Sequence, residues 1–302
     1  MKKISAAILA VSLAVSSAAA LTSSAESDDS YSPGFYFKAQ PSEDFQILHS
    51  GRAYLDTSNA KSDDPTLNVN AYITDEKELV GGFVAKWSGS EGVTLDNLKS
   101  PKDVYGVLPY TPDEEYYDIS LACDTEKGFI SVNYPNMMIF PDQPDKKYAF
   151  ALTGEKSDDY PFAIFDASLN KSADPGIYSI NFHANGSGDR CNIIYKPSAK
   201  EIIDFVPTGD LIPSLYINVS DRALGDVNGD GDVDGSDSAL ALYAYAHANV
   251  ADDVVDEAGM IAGDVDGSGD VDGSDASLIL AYYANKATTE LSLVDFIDTI
   301  VE

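Results

Sequence analysis

The sequence predicts a mainly β protein with a short α-helical tail: an antiparallel β-sandwich over residues 31–220 and a small helical module over residues 221–302. Three observations carry this reading. Between Tyr31 and Ser220, apolar and polar residues alternate at a period of two, as strands with one buried and one solvated face require. No window of helical length in that stretch holds a clean apolar stripe. After Ser220 the texture changes to Gly-Asp repeats followed by Ala, Leu and Tyr segments that suit helices.

In chain order, Lys2 and Lys3 precede an apolar run from Ile4 to Ala20, and the small residues Ser23 and Ala25 follow it. Residues 1–25 therefore read as a secretory signal peptide, with a short segment, 26–30, before the sandwich. The apolar run is shorter than the ~20 residues a membrane helix needs, and no later stretch approaches that length. Leu67, Val69, Ala71 and Ile73 then alternate with Asn68 and Asn70. Tyr178, Ile180 and Phe182 repeat the pattern after Asp174-Pro175-Gly176, a turn in which Pro fixes φ and Gly accepts a positive value. Ser214 to Val219 supplies a closing strand, and eight or nine strands in an antiparallel sandwich account for the whole.

Fifty acidic residues against 19 basic ones give a net charge of −31. Such a chain repels phosphate and has few cations with which to displace counter-ions, which argues against nucleic acid and membranes as partners. Divalent cations are the natural counter-charge. From Asp221 onward only Arg222 and Lys286 are fixed positive charges. Cys123 and Cys191 are the only cysteines; one disulfide and two buried thiols both remain open.

The tail contains a duplication. Gly225 to His247, opening GDVNGDGDVDGSD, is echoed by Gly263 to Asn285, opening GDVDGSGDVDGSD. An EF-hand-like loop wraps a hard cation with oxygens from positions 1, 3, 5, 7, 9 and 12. Asp226, Asn228, Asp230, Asp232, Asp234 and Asp237 fall on those positions in the first copy, and Asp264, Asp266, Ser268, Asp270, Asp272 and Asp275 in the second. Gly231 and Gly269 stand at position 6, where the chain turns sharply; Val233 and Val271 at position 8 let paired loops pack. The expected cofactor is Ca2+, two ions. Ser268 at position 5 removes a charge, so the second loop is expected to bind more weakly. Leu240, Leu242, Leu278 and Leu280 mark a helix leaving each loop, while none is clearly marked entering, and position 12 is Asp rather than Glu.

These features resemble the dockerin family over Gly225 to Asn285. The resemblance implies a protein partner, a cohesin on a larger scaffoldin. The partner would be met by Gly235, Ser236, Gly273 and Ser274 at loop positions 10 and 11. On the helices the resemblance implies Tyr243, Ala244 and His247, with Ala281, Tyr282 and Asn285 in the second copy. Tyr245 and Tyr283 are expected to pack between the helices instead. Leu291, Val294, Ile297 and Val301 recur at helical spacing and predict a terminal amphipathic helix.

In the larger region, LNVNAYITDEKELVGGFVAKW (from Leu67) and DYPFAIFDASLNKSADPGIYSINF (from Asp159) are similar to stretches of cohesins. That resemblance implies a nine-stranded jelly roll lengthened by an insertion around residues 100–117. With the tail it implies a secreted, non-catalytic adaptor scaffoldin of a cellulosome, whose own cohesin-like domain receives the dockerin of an enzyme or other protein. A carbohydrate-binding sandwich is the alternative, with Trp87, Tyr110, Tyr116, Tyr117 and Tyr134 as its platform. A dockerin-bearing glycoside hydrolase or esterase is a weaker third. The sequence lacks G-x-S-x-G and H-E-x-x-H, and its only histidines are His49, His183 and His247, so no catalytic residue is assigned.

Overall fold

A computed structural model describes residues 32–74, 80–99, 120–124, 129–133, 161–183, 191–198, 201–247, 255–288 and 290–301. The expected signal peptide, the segment 26–30, the insertion around 100–117, Tyr110, Tyr116, Tyr117, Tyr134 and the side chain of Cys123 lie outside the described residues. Among the described residues no helix is long and apolar enough to cross a membrane.

The first half of the sandwich contains β1 (Gly34–Gln40), β2 (Phe45–Ile47), β3 (Ala53–Asp56), β4 (Thr66–Thr74), β5 (Val80–Gly89) and β6 (Thr94–Lys99). The second half contains β7 (Ser120–Asp124), β8 (Phe129–Asn133), β9 (Ala163–Ser168), β10 (Gly176–Phe182), β11 (Asn192–Ser198), β12 (Glu201–Phe205) and β13 (Leu215–Ser220). A four-stranded sheet runs β1-β4-β9-β6, and a nine-stranded sheet runs β12-β11-β5-β10-β13-β3-β2 with β8 and β7 attached through β5. Strands thus outnumber the eight or nine expected. Part of the surplus is short: β2 has three residues and β3 four, too few for a period of two to stand out. The sheets are also not purely antiparallel, because β13 and β3 pair in parallel.

The alternation read in β4 is seen directly: Leu67, Val69, Ala71 and Ile73 are fully buried while Asn68 and Asn70 are half-buried. Their inward face meets an aromatic core. Phe37 stacks on Phe182 at 4.1 Å, and Trp87 stacks on Phe165 at 5.1 Å. Such pairs add ~0.5–1.5 kcal/mol beyond the burial of their area. The Cys191 thiol is buried and free, and burial pushes its pKa up.

The tail folds as α1 (Gly235–His247), α2 (Glu257–Gly263), α3 (Gly273–Asn285) and α4 (Leu293–Val301). Helices α1 and α3 are the expected exits from the two loops. They lie side by side, with the buried Ser238 hydroxyl donating to the Ala276 carbonyl at 2.6 Å. Helix α2 enters the second loop, a feature the sequence reading lacked. Its seven residues are too few to show a stripe, and its signal is the cap, where Asp256 accepts from the Gly259 N–H at 3.0 Å.

The terminal helix exists with a shifted face. Leu293, Phe296 and Ile297 are buried, whereas Leu291 and Val301 are exposed. Ser292 causes the shift: its hydroxyl accepts from the Asp295 N–H at 3.1 Å, so the helix begins at Leu293 and Leu291 is left outside it.

Residues 32–302 form one compact unit. One hydrophobic cluster joins Leu48 and Tyr54 of the sandwich to Leu224, Val227, Ile261, Val265, Ile279 and Ile297 of the tail. The seam is also hydrogen-bonded. The Tyr54 hydroxyl donates to the Arg222 carbonyl at 2.8 Å, and the Ser220 hydroxyl donates to the Ala258 carbonyl at 3.0 Å. Burial pushes the Tyr54 phenol pKa far up, so it stays a donor.

Candidate cation loops and docking face

Each loop is closed by its last aspartate. Asp237 accepts from the N–H groups of Val227 (2.9 Å) and Asn228 (3.1 Å) through one oxygen, and from Asp234 (2.9 Å) through the other. Asp275 does the same with Val265 (2.9 Å), Asp266 (3.3 Å) and Asp272 (2.8 Å). An Asp side chain is short enough to take these bonds from within the first turn of the exiting helix. The first aspartates bind across the turn: Asp226 accepts from Gly231 N–H at 3.0 Å, and Asp264 from Gly269 N–H at 3.1 Å. Gly231 and Gly269 have φ of 91° and 106°, which other residues adopt only under strain.

These carboxylates are taken out of water. Asp226, Asp237, Asp264 and Asp275 are buried. Burial raises the pKa of Asp237 and of Asp264, and pushes Asp275 up to about 7. Asp234, by contrast, is held below the usual carboxylate range by the Ser236 hydroxyl and N–H. A divalent cation among the buried oxygens would offset the desolvation that raises the first group.

Oxygens that share one Ca2+ at about 2.3–2.6 Å lie within about 5 Å of each other. In the second loop Asp264, Asp266 and Asp275 each offer an oxygen, and all three lie within 4.8 Å of one another. The residues therefore fit the ion. In the first loop the side chains bond one another: Asn228 donates to Asp230 at 2.9 Å and to Ser236 at 3.0 Å. The ground for expecting a weaker second loop does not hold, because Asn228 removes a carboxylate from the first loop as Ser268 does from the second. The formal charges match, and any difference must come from geometry and surroundings. Asp230, Asp232, Ser268 and Asp270 are exposed on the loop rims, while Asn228, Asp234, Asp266 and Asp272 are half-buried.

The expected docking residues divide. Ser236 and Ser274 are exposed beside half-buried Gly235 and Gly273. Tyr243 is exposed and stacks on His247 with ring centroids 3.9 Å apart. Ala244 and Ala281 are half-buried and Asn285 is exposed. Tyr282, expected at a partner, instead packs against the tail core and lies 5.7 Å from Phe296. Tyr245 and Tyr283, expected between the helices, are exposed at 53% and 49%. Leu242 and Leu280 are exposed beside them, at 52% and 51%. Leu242 and Tyr245 are three residues apart, as are Leu280 and Tyr283, so each pair shares one helix face. The spacing is legible in the sequence, but it does not say which helix face turns outward.

Trp87, the one described member of the expected aromatic platform, is 2% exposed and belongs to the core. His49 contacts Asp298 at 3.2 Å, and His183 contacts the Ser88 hydroxyl at 3.0 Å.

No protein-family model and no curated protein matches this chain. Among solved structures, the third ScaB cohesin of R. flavefaciens, in complex with a group 1 dockerin, is similar over 53% of this chain and 97% of its own, at 9% identity and a TM-score of 0.31. A type III cohesin module from the cellulosomal ScaE cell-surface anchoring scaffoldin of Ruminococcus flavefaciens is similar over 62% of this chain and 87% of its own, at 11% identity and a TM-score of 0.32. The major pilin subunit of Bacillus cereus is similar over 64% of this chain and 41% of its own, at 8% identity and a TM-score of 0.28.

Proposed function

We propose that this chain is a secreted, non-catalytic adaptor of a cellulosome. Its tail docks through two Ca2+ loops onto a cohesin of a larger scaffoldin, and its cohesin-like sandwich receives the dockerin of another protein. One observation carries the reading: two near-identical acidic loops each lead into a helix whose outer face leaves a Leu and a Tyr exposed at equivalent places, Leu242 and Tyr245 on α1 and Leu280 and Tyr283 on α3. Exposed apolar side chains on adjoining helices mark a protein-binding face.

In this reading Asp226, Asn228, Asp230, Asp234 and Asp237 hold one ion, with Asp264, Asp266, Ser268, Asp272 and Asp275 holding the other; Asp232 and Asp270 contribute backbone carbonyls. The ions supply the positive charge that lets buried carboxylates coexist, and so rigidify α1 and α3 as a plug. The carbohydrate-binding alternative loses its one described platform residue with the burial of Trp87.

The test is to present the full chain to panels of cohesins, dockerins and plant polysaccharides, with calcium and with chelator. The full chain is needed because Leu48 and Tyr54 share a core with the tail. Saturable, calcium-dependent cohesin binding supports the tail assignment, and saturable dockerin binding supports that of the sandwich. Polysaccharide retention without dockerin binding would overturn the second.

A further inference from the structure

The second loop does not stand alone; the sandwich reaches into it. Gly267 and Gly269, at loop positions 4 and 6, lie so close to the turn between β2 and β3 that a Cβ at Gly267 would fall 3.0 Å from Leu48 Cβ, and one at Gly269 would fall 2.5 Å from Arg52 Nη2. The Ser50 N–H donates to the Asp266 carbonyl at 3.3 Å. The Arg52 guanidinium is fixed over the Tyr216 ring at 4.7 Å, and its Nη2 lies 3.5 Å from the Ser268 carbonyl. From the other side comes Asn218 of β13. It is 1% exposed, and its Nδ2 donates to Asp264 Oδ2 at 3.3 Å.

The Oδ1 atom of Asn218 is buried with no hydrogen-bond partner. A buried orphan acceptor costs about 1–3 kcal/mol, so an apolar residue would serve packing better at this place. The half of the amide that is used touches the carboxylate at loop position 1. Side chains that hold a metal ligand from behind orient it and are worth ~10–100-fold in affinity. Arg52 acts with the opposite sign, since a fixed positive charge at the rim repels an incoming divalent ion.

We propose that the sandwich sets the cation affinity of the second loop, Asn218 raising it as a positioning residue for Asp264 and Arg52 lowering it as a fixed rim charge. This rests on the reading of the loops as Ca2+ sites. It makes ion occupancy at the second loop and the seating of the tail on the sandwich one coupled equilibrium.

The test is calcium titration by calorimetry on the full chain, first unmodified and then in an Asp226→Ala background that leaves the second loop to be read. Asn218→Ala is expected to weaken that site ~10-fold or more. Arg52→Gln removes the charge and leaves a shorter, polar side chain, and is expected to tighten the site ~3–10-fold. The gain should shrink at about 1 M salt, where the screening length falls to about 3 Å. A merely structural role would weaken binding in both variants together, and that result, or no change in either, overturns the proposal. If Asn218→Ala fails to melt cooperatively, the variant at half-buried Arg52 and its salt dependence still decide. An unmodified chain that takes up no calcium overturns the Ca2+ reading itself, and the two failures are thereby told apart.

Discussion

The two loops are nearly the same sequence in two different places. Around Gly231 of the first loop a Cβ would meet nothing within 4 Å, whereas the equivalent Gly269 lies against Arg52. The neighbour of the first loop comes from within the tail, where Lys286 Nζ reaches the Val233 carbonyl at 3.4 Å. The second is flanked by Ser50, Arg52 and Asn218 of the sandwich. Duplication therefore gives two loops closed by matching bonds to Asp237 and Asp275 but set in unequal surroundings, and that inequality is imposed by the larger layer. A partner that reads the two halves as equivalent must do so on α1 and α3, where Leu242 and Leu280 are alike in exposure.

The largest expected effect tests what the loops share. Asp226→Ala with Asp264→Ala should abolish calcium uptake and reduce docking by ~100-fold or more, because each removes a buried carboxylate at the first position of a proposed Ca2+ loop. Calorimetry for the ion and surface plasmon resonance for a bound cohesin measure it. Unchanged affinity in the double variant would refute the ligand assignment. Of the single variants, Asp264→Ala should destabilise more, since it also leaves the Asn218 amide without its partner.

A second effect appears in the pH dependence of stability. Asp275, pushed up to about 7 by burial, keeps a proton in the folded chain that the unfolded chain releases near 3.9. In chelator its contribution to stability is thus complete below about pH 4 and is lost as pH rises through about 7. At about 1.4 kcal/mol per pH unit the loss is at most about 4 kcal/mol. Thermal melts between pH 4.5 and 7.5 read it, and Asp275→Asn should flatten the slope. Asp237 shifts in the same direction, so Asp237→Asn should also flatten it. A melt that gains stability over that range in chelator would contradict the assigned burial.

The sandwich and the tail were legible to different depths. Strands β4 and β10 could be read because each is long enough for its alternation to show, and β13 because it ends where the acidic texture begins. The loops could be read because twelve ligand-capable residues fall in register in two copies. What could not be read is where the two halves meet. Asn218 sits in an ordinary strand pattern, Arg52 follows an unremarkable turn, and only the fold brings them to Asp264 and Gly269. Tyr282 and Tyr283 show the same limit at finer grain. They are adjacent aromatics on one helix, and which one turns inward depends on Phe296, supplied by a later element.

A smaller effect probes the seam between the halves. Tyr54→Phe keeps the ring in the shared cluster and removes the donor to the Arg222 carbonyl. The carbonyl is only part-buried, so leaving it unpaired costs at most the ~1–3 kcal/mol of a buried orphan. Denaturant unfolding should show that loss in a single transition, because residues 32–302 form one compact unit. Two transitions, with only the later one unchanged, would mean that the tail unfolds independently.

The smallest effect is the sharpest test of the inequality between the loops. Gly231→Ala and Gly269→Ala both place a side chain at positive φ, 91° and 106°, at a strain cost of about 1–3 kcal/mol that the two positions share. Only the second also drives Arg52 off the Tyr216 ring and away from the Ser268 carbonyl. An exposed cation–π contact is worth about 0.5–1 kcal/mol, so Gly269→Ala should be the costlier by about that amount. Repeating both substitutions in an Arg52→Ala background should make them equal, since the guanidinium is then gone. A difference that survives Arg52→Ala would trace the inequality to the loop backbone, and the absence of any difference would mean that the sandwich does not rest on the second loop in solution.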